Sequence, residues 1–384
     1  MENASWIRKM FEQGIELKAK FGTDKVFDFS LGNPNLEPPE QVNKAILQVL
    51  SSERPGIHAY MPNAGLKETR EAVARFLTRD HGMHVLWEQV IMTCGAGGGL
   101  NVALKTLLDP EDEVIVLAPY FVEYLFYINN HNGNGKLVNT NEDFSLNIGA
   151  IEGALNQKTK AIIINSPNNP SGRVYDEKSL DLLGKTLVKH RQNTGRTVYL
   201  LSDEPYSKLV YDGIKAPSIF QAYSESILIT SHSKDLSLPG ERIGFTAVNP
   251  QMANWKEAAD GLTFCNRILG FVNAPALMQR IIPFLDGVTV NIGEYQRKRD
   301  LLCRGLAAAG YSFTKPEGAF YLFIKSPIPD DVLFVKTLLQ ENILAVPGLG
   351  FGTPGYFRLA YCVDDRVIQG SLEGFSRAIE KYSK

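Results

Sequence analysis

Five near-continuous apolar runs of strand length punctuate the middle of the chain, at residues 89–93, 113–117, 161–165, 198–202 and 227–230. Their β-branched and aliphatic residues lack the in-and-out alternation of a half-exposed sheet, so each is expected to be a strand buried on both faces. Between several of them lie stretches with helical spacing, for example 100–108 and 180–190. Strands alternating with helices predict an α/β fold, a mainly parallel sheet wrapped by helices. Beyond about Val290 the pattern changes. A long helix rich in Glu, Arg, Lys, Leu and Ala is expected over 292–309, ended by Gly310, with a strand over 319–324 and a terminal helix over 367–382. This change divides the chain into a large unit, 46–290, and a smaller α+β unit made of 1–45 and 291–384. At the N-terminus Trp6, Ile7, Met10, Phe11 and Ile15, interleaved with polar residues, predict an amphipathic helix and not a signal segment. The lack of repeats, low-complexity tracts and flexible linkers implies that the two units pack together.

Composition narrows the function classes. At 384 residues and 44% hydrophobic content, the chain is long enough to bury a large core. Its 40 basic and 42 acidic residues leave a net charge of −2, so no bulk field favours nucleic acid or an anionic membrane. No segment approaches the roughly 20 apolar residues that cross a bilayer. Cys94, Cys265, Cys303 and Cys362 lie far apart without paired metal-ligand spacing, which predicts free thiols in a reducing cytoplasm and no bound metal.

The chemistry-bearing motifs follow predicted strands, where open α/β sheets place their ligand crevice. After the run ending at Thr93, Gly95, Ala96 and Gly97 open a helix, and close-approaching backbone N–H groups there suit a phosphate. The spacing is neither G-x-G-x-x-G nor a P-loop, and a glycine-rich helix entry without ligand is the alternative. After the next run, Phe121 can lie against a planar heteroaromatic ring, a contact worth on the order of 1 kcal/mol beyond burial, or be ordinary core. In Asn165-Ser166-Pro167-Asn168-Asn169-Pro170, two X-Pro steps stiffen the backbone, so the Asn169 amide can be held toward a phenolic oxygen. Asp203, at the end of its strand, is expensive to bury without a positive partner such as a protonated pyridine nitrogen; the alternative is a helix N-cap. Glu204 is expected on the opposite face, and Tyr206 can reach the phenolic oxygen. Ser231-His232-Ser233-Lys234, with Arg242 eight residues beyond the lysine, reads as an imine-forming amine among hydroxyls and a guanidinium that hold a phosphate dianion. Arg358, alone in an apolar strand, suits a substrate α-carboxylate, or a salt bridge to Asp364 or Asp365. The Gly32 N–H lies at a strand-to-turn junction from which it can reach the same carboxylate.

The order G-A-G-G before a helix, P-x-aromatic, N-x-x-N-N-P-S-G, D-E-P-Y, S-x-S-K with arginine eight residues on, and G-x-x-R-L-A resembles that of class I aminotransferases of the pyridoxal-5′-phosphate, fold type I superfamily. The resemblance runs from about Phe29 to Ala360. It implies that Lys234 forms the Schiff base and shuttles the proton, that Asp203 pairs with the pyridinium nitrogen, and that Asn169 and Tyr206 bond the ring oxygen. Phe121 would stack on the ring; Gly95, Ala96, Gly97, Ser231, Ser233 and Arg242 would hold the phosphate. Tyr60 matches a tyrosine that reaches the neighbouring subunit's phosphate, which implies a homodimer with shared sites. Arg358, Asn169 and the Gly32 backbone would hold the substrate α-carboxylate. Amino acids and 2-oxo acids are the implied substrates.

Substrate identity is less legible. Arg267 is the candidate for a distal carboxylate, while Phe29, Leu36, Phe351 and Tyr356 are candidate walls of an apolar pocket. β-Elimination of sulfur amino acids and α-decarboxylation are alternatives on the same fold. A ligand-sensing module would need a basic DNA-binding extension, which the sequence does not show, and a catalytically dead homologue is disfavoured by the full residue set.

Overall fold

The computed structural model describes residues 5–52 and 55–382. Twelve strands among them form three sheets. They are β1 (Phe27–Asp28), β2 (Val90–Thr93), β3 (Glu113–Ala118), β4 (Asn134–Asn139), β5 (Thr159–Asn165), β6 (Tyr199–Asp203), β7 (Ser226–Ser231), β8 (Gly244–Val248), β9 (Tyr321–Lys325), β10 (Ile343–Leu344), β11 (Val346–Pro347) and β12 (Tyr356–Ala360).

The main sheet has the order β2-β8-β7-β6-β5-β3-β4, parallel throughout except for β8. All five expected strands are in it. Their runs are apolar because helices cover both faces: Ile115, Ile162, Leu200 and Ile227 have no exposed surface. Two strands escaped the pattern. β4 is an edge strand of mixed polarity, exposed along most of its length. β8 is fully buried but follows a 3₁₀ turn, Pro239–Glu241, and Arg242 in a left-handed conformation (φ 52°), and that reversal makes it antiparallel.

The helix expected from residue 100 begins earlier, spanning Gly95–Leu107. Glycine is a poor helix former, yet the whole segment packs between the sheet and the helix Trp255–Ile268. Tertiary packing overrides propensity there. The helix Glu177–Thr194 starts where the Asp176 carboxylate accepts from the Ser179 N–H at 2.9 Å.

A second layer is built on the antiparallel sheet β11-β12-β9. Its register sets Arg358 opposite Phe323 and Ala360 opposite Tyr321. β1 pairs in parallel with β10, and the Ala360 N–H donates to the Phe29 carbonyl at 2.9 Å, so the N-terminal segment is stitched to the C-terminal part. Helices Ile292–Ala308 and Asp365–Glu380 pack together there. Phe29, Phe320, Phe323, Phe334, Phe357 and Phe375 fill its core. Of the predicted N-terminal helix, Ser5–Phe21 is present, with Met10 buried and Ile15 exposed; the side chains of Trp6, Ile7 and Phe11 lie outside the described residues. Among the described residues no helix is long and apolar enough to cross a membrane.

Candidate active site

A cavity of about 310 Å³ opens where the ends of the main-sheet strands meet the second layer. Each strand end brings a different group. Asp203 is the last residue of β6, not a helix cap, and is buried. Its Oδ2 accepts from the Tyr124 hydroxyl at 2.5 Å, whereas Oδ1 is buried without a partner. Burial lifts its pKa to about 7, against the Tyr124 hydrogen bond. Glu204 does not line the cavity; it accepts from the Ser202 hydroxyl at 2.7 Å, and burial holds it up to about 8.

Asn169 is fixed at its backbone, where its N–H donates to the Asn165 side chain at 2.7 Å. Asn165 in turn donates to the Asp203 carbonyl at 2.8 Å, tying the ends of β5 and β6 together. Lys234 follows β7 in a turn anchored by Asp235, whose carboxylate meets Lys208 at 3.1 Å and His232 at 3.2 Å. Burial pushes Asp235 up, but His232 and Lys208 outweigh it and bring it to about 2. The Lys234 amine donates to the Gly32 carbonyl at 2.9 Å. Burial lowers its pKa to about 8, with Arg242 and Arg358 adding to the fall and Cys362 opposing it.

Ala96, Gly97, Ser231, Ser233 and Arg242 line one end of the cavity. Gly95 sits just behind, at φ 70°, and a Cβ there would meet the Arg242 guanidinium at 2.8 Å, so glycine is required on both counts. At the other end Arg358 is buried and donates to Asn169 Oδ1 at 3.1 Å and to the Ser30 carbonyl at 2.6 Å. It does not pair with Asp364 or Asp365: Asp364 accepts from Asn35 and Asp365 from Arg297. Its Nε is buried without a partner, and its guanidinium lies 4.7 Å from the ring centroids of both Tyr321 and Phe351.

Of the sequence-predicted residues, Gly32, Ala96, Gly97, Phe121, Asn169, Asp203, Tyr206, Ser231, Ser233, Lys234, Arg242 and Arg358 come together. Gly32 presents its carbonyl to Lys234. Tyr60 is 90% exposed and does not reach this chain's cavity, and Arg267 is exposed at the end of its helix. Phe29, Leu36, Phe351 and Tyr356 are not among the lining residues; Phe29 and Phe351 are wholly buried in the second layer's core. The pattern missed Leu100, Glu123, Tyr127 and Tyr321, which line the cavity, and Tyr124, which holds Asp203. Glu123, Tyr124 and Tyr127 share the helix Glu123–Asn130 just after Phe121, a spacing that places them near it.

A half-buried lysine of lowered pKa, a carboxylate with one orphaned oxygen and a buried guanidinium with an orphaned N–H share the cavity, an arrangement able to take a cation at one place and an anion at another beside an amine. Known proteins share this frame. Residues 24–374 match the family described as aminotransferase class I and II. The chain is 32% identical over 373 residues to the aspartate/prephenate aminotransferase of Thermus thermophilus, covering 96% of this chain and 94% of that one. The crystal structure of an amino transferase from Eubacterium rectale superposes with a TM-score of 0.96 at 39% identity, covering 98% of this chain and 96% of that one. That of the Thermus thermophilus aspartate aminotransferase with maleate gives 0.86 at 29% identity, covering 97% and 96%. The chain belongs to the aminotransferase class I and II family. It is a pyridoxal-5′-phosphate-dependent transaminase of fold type I.

Proposed function

We propose that transfer of an amino group from an L-amino acid to a 2-oxo acid runs in this chain on Lys234, as the lysine that binds pyridoxal phosphate and then carries the proton. The observation that supports this best is the buried, unpartnered Oδ1 of Asp203 in the cavity that also holds Lys234. A lone carboxylate oxygen in that position is costly unless a cation meets it. The cofactor's ring nitrogen, held protonated, is such a cation. Asn169 and Tyr206 would bond its ring oxygen and Phe121 would stack on it. Gly95, Ala96, Gly97, Ser231, Ser233 and Arg242 would hold its phosphate at the N-terminus of the helix Gly95–Leu107.

When bound, pyridoxal phosphate supplies a protonated ring that draws electrons from the substrate α-carbon. The residues do the rest. Arg358 grips the α-carboxylate with its free Nε–H, while Asn169 fixes the guanidinium from the other side. The Lys234 amine would take and return the α-proton, and its lowered pKa keeps a neutral fraction available near neutrality. Tyr124 holds one oxygen of Asp203 and leaves the other free, where it would meet the ring nitrogen. β-Elimination and decarboxylation are less supported, since the relatives named above are aminotransferases.

The same reading takes the protein as a cytoplasmic homodimer divided into units 46–290 and 1–45 with 291–384. Exposed Tyr60, Phe264 and Ile268 support the pairing, with Tyr60 reaching the second subunit's phosphate. Among the described residues, the cations that line the cavity are Lys234, Arg242 and Arg358. The donor class then turns on Arg267, which, lent across the dimer, would take a distal carboxylate. Borohydride reduction of the coloured holoprotein, followed by peptide mapping, should place a pyridoxyl tag on Lys234. A tag elsewhere, or none, defeats the assignment.

A further inference from the structure

Tyr321 opens β9 and lines the cavity with 3% of its surface exposed. It touches groups assigned to three different tasks. Its hydroxyl lies 2.9 Å from that of Tyr206, and the two rings meet edge to face at 5.7 Å. Its ring lies 4.7 Å from the Arg358 guanidinium. The backbone of Gly32, whose carbonyl holds Lys234, passes so close that a Cβ there would fall 1.9 Å from the Tyr321 oxygen. Any side chain at position 32 would expel the phenol.

The two hydroxyls hold two protons, and their order matters. If Tyr206 donated to Tyr321, its proton would be spent inside the protein and none would face the cofactor's ring oxygen. If Tyr321 donates to Tyr206, the Tyr206 proton is free to point onward. Among the described residues Tyr206 is the hydrogen-bond partner of the Tyr321 hydroxyl, which leaves it no competing acceptor. Burial keeps both phenols protonated, raising Tyr321 to about 12 and lifting Tyr206 well above its usual value.

Resting on the assignment of Tyr206 to the ring oxygen, we propose that Tyr321 is a positioning residue that sets the direction of this hydrogen-bond chain. It donates to Tyr206 so that Tyr206 donates to the cofactor, while its ring braces the carboxylate-binding guanidinium. Donors in series polarise one another, strengthening each bond by roughly 10–30%. The outcome is better stabilisation of negative charge on the ring oxygen.

The test uses holoprotein loaded with pyridoxal phosphate and follows its visible absorbance against pH. Tyr321→Phe keeps the ring and removes the hydroxyl. It should raise the midpoint of the absorbance titration by on the order of half a unit. Tyr206→Phe should raise it more, and adding Tyr321→Phe to that variant should give no further shift, because the chain is already cut. Affinity for 2-methylalanine, an amino acid with no α-proton to lose, should stay within about twofold in Tyr321→Phe and fall by roughly three- to thirtyfold in Tyr321→Leu, which removes the ring over Arg358. An unmoved Tyr321→Phe midpoint, or an equal shift with and without Tyr206, overturns the proposal while the site assignment stands. A wild-type protein whose chromophore is not linked to Lys234 overturns both.

Discussion

The cavity has two walls, and they are assembled differently. On the main-sheet wall, Asn169, Asp203 and Lys234 stand within four residues of the ends of β5, β6 and β7. Asn169 is fixed by a local bond to Asn165, four residues before it, and Asp203 by one to Tyr124, 79 residues away. On the opposite wall, Gly32, Tyr321 and Arg358 come from three distant segments, and the Arg358 hydrogen bond to Ser30 spans 328 residues. On the proposed assignment the first wall carries charge and proton chemistry, the second the grip on substrate. Substitutions in the two should therefore fail in different kinetic terms.

The largest effects belong to the main-sheet wall. Lys234→Ala should abolish turnover, and Asp203→Ala should slow α-proton removal by orders of magnitude with cofactor still bound. Single-turnover absorbance measurements with a deuterated donor would check both; undiminished deprotonation in Asp203→Ala would erase the distinction between the walls. On the second wall, Arg358→Ala should cost roughly 2–5 kcal/mol of substrate binding, because it leaves a buried carboxylate unpaired. That loss should appear mainly in KM, and a fall confined to kcat would contradict the division of labour.

A smaller effect tests the amine without cofactor. Burial lowers the Lys234 pKa from 10.5 to about 8. Between these values the unfolded chain binds a proton that the folded chain has released, so stability rises with pH across that window. Below about pH 8 the cost is present in full, and above about 10.5 it is gone. Lys234→Met in the cofactor-free protein should therefore stabilise it at pH 7 by on the order of 2 kcal/mol, less whatever solvent screening recovers, with the advantage vanishing by pH 11. Urea unfolding at both pH values would show it; an advantage independent of pH would point to packing alone. The smallest effect should come from Tyr124→Phe, which removes one hydrogen bond to Asp203, about 1 kcal/mol. A rate loss below about tenfold, with substrate KM unchanged, is expected.

What was legible in the sequence follows the same split. The strand-end residues were readable because a buried strand, a turn and a polar side chain occur together within one short stretch, as in 161–169 and 198–206. Arg358 was readable only as an odd charge in an apolar strand; its neighbours Tyr321 and Ser30 were not, because antiparallel register and the pairing of β1 with β10 bring them in. Phe29 and Phe351 looked like pocket walls for the same reason: apolarity marks burial, but not which core. β4 and β8 escaped because one is a polar edge and the other begins beside an arginine in a left-handed turn.

The bond from the Lys234 amine to the Gly32 carbonyl joins residues 202 apart and crosses from one wall to the other. Whatever claims that nitrogen ends its bond to the N-terminal segment, which also carries β1 and the Ser30 carbonyl bound to Arg358. On the proposed assignment the cofactor aldehyde would compete for that nitrogen, so its loading should register two residues away from the carbonyl that holds the arginine assigned to the amino acid.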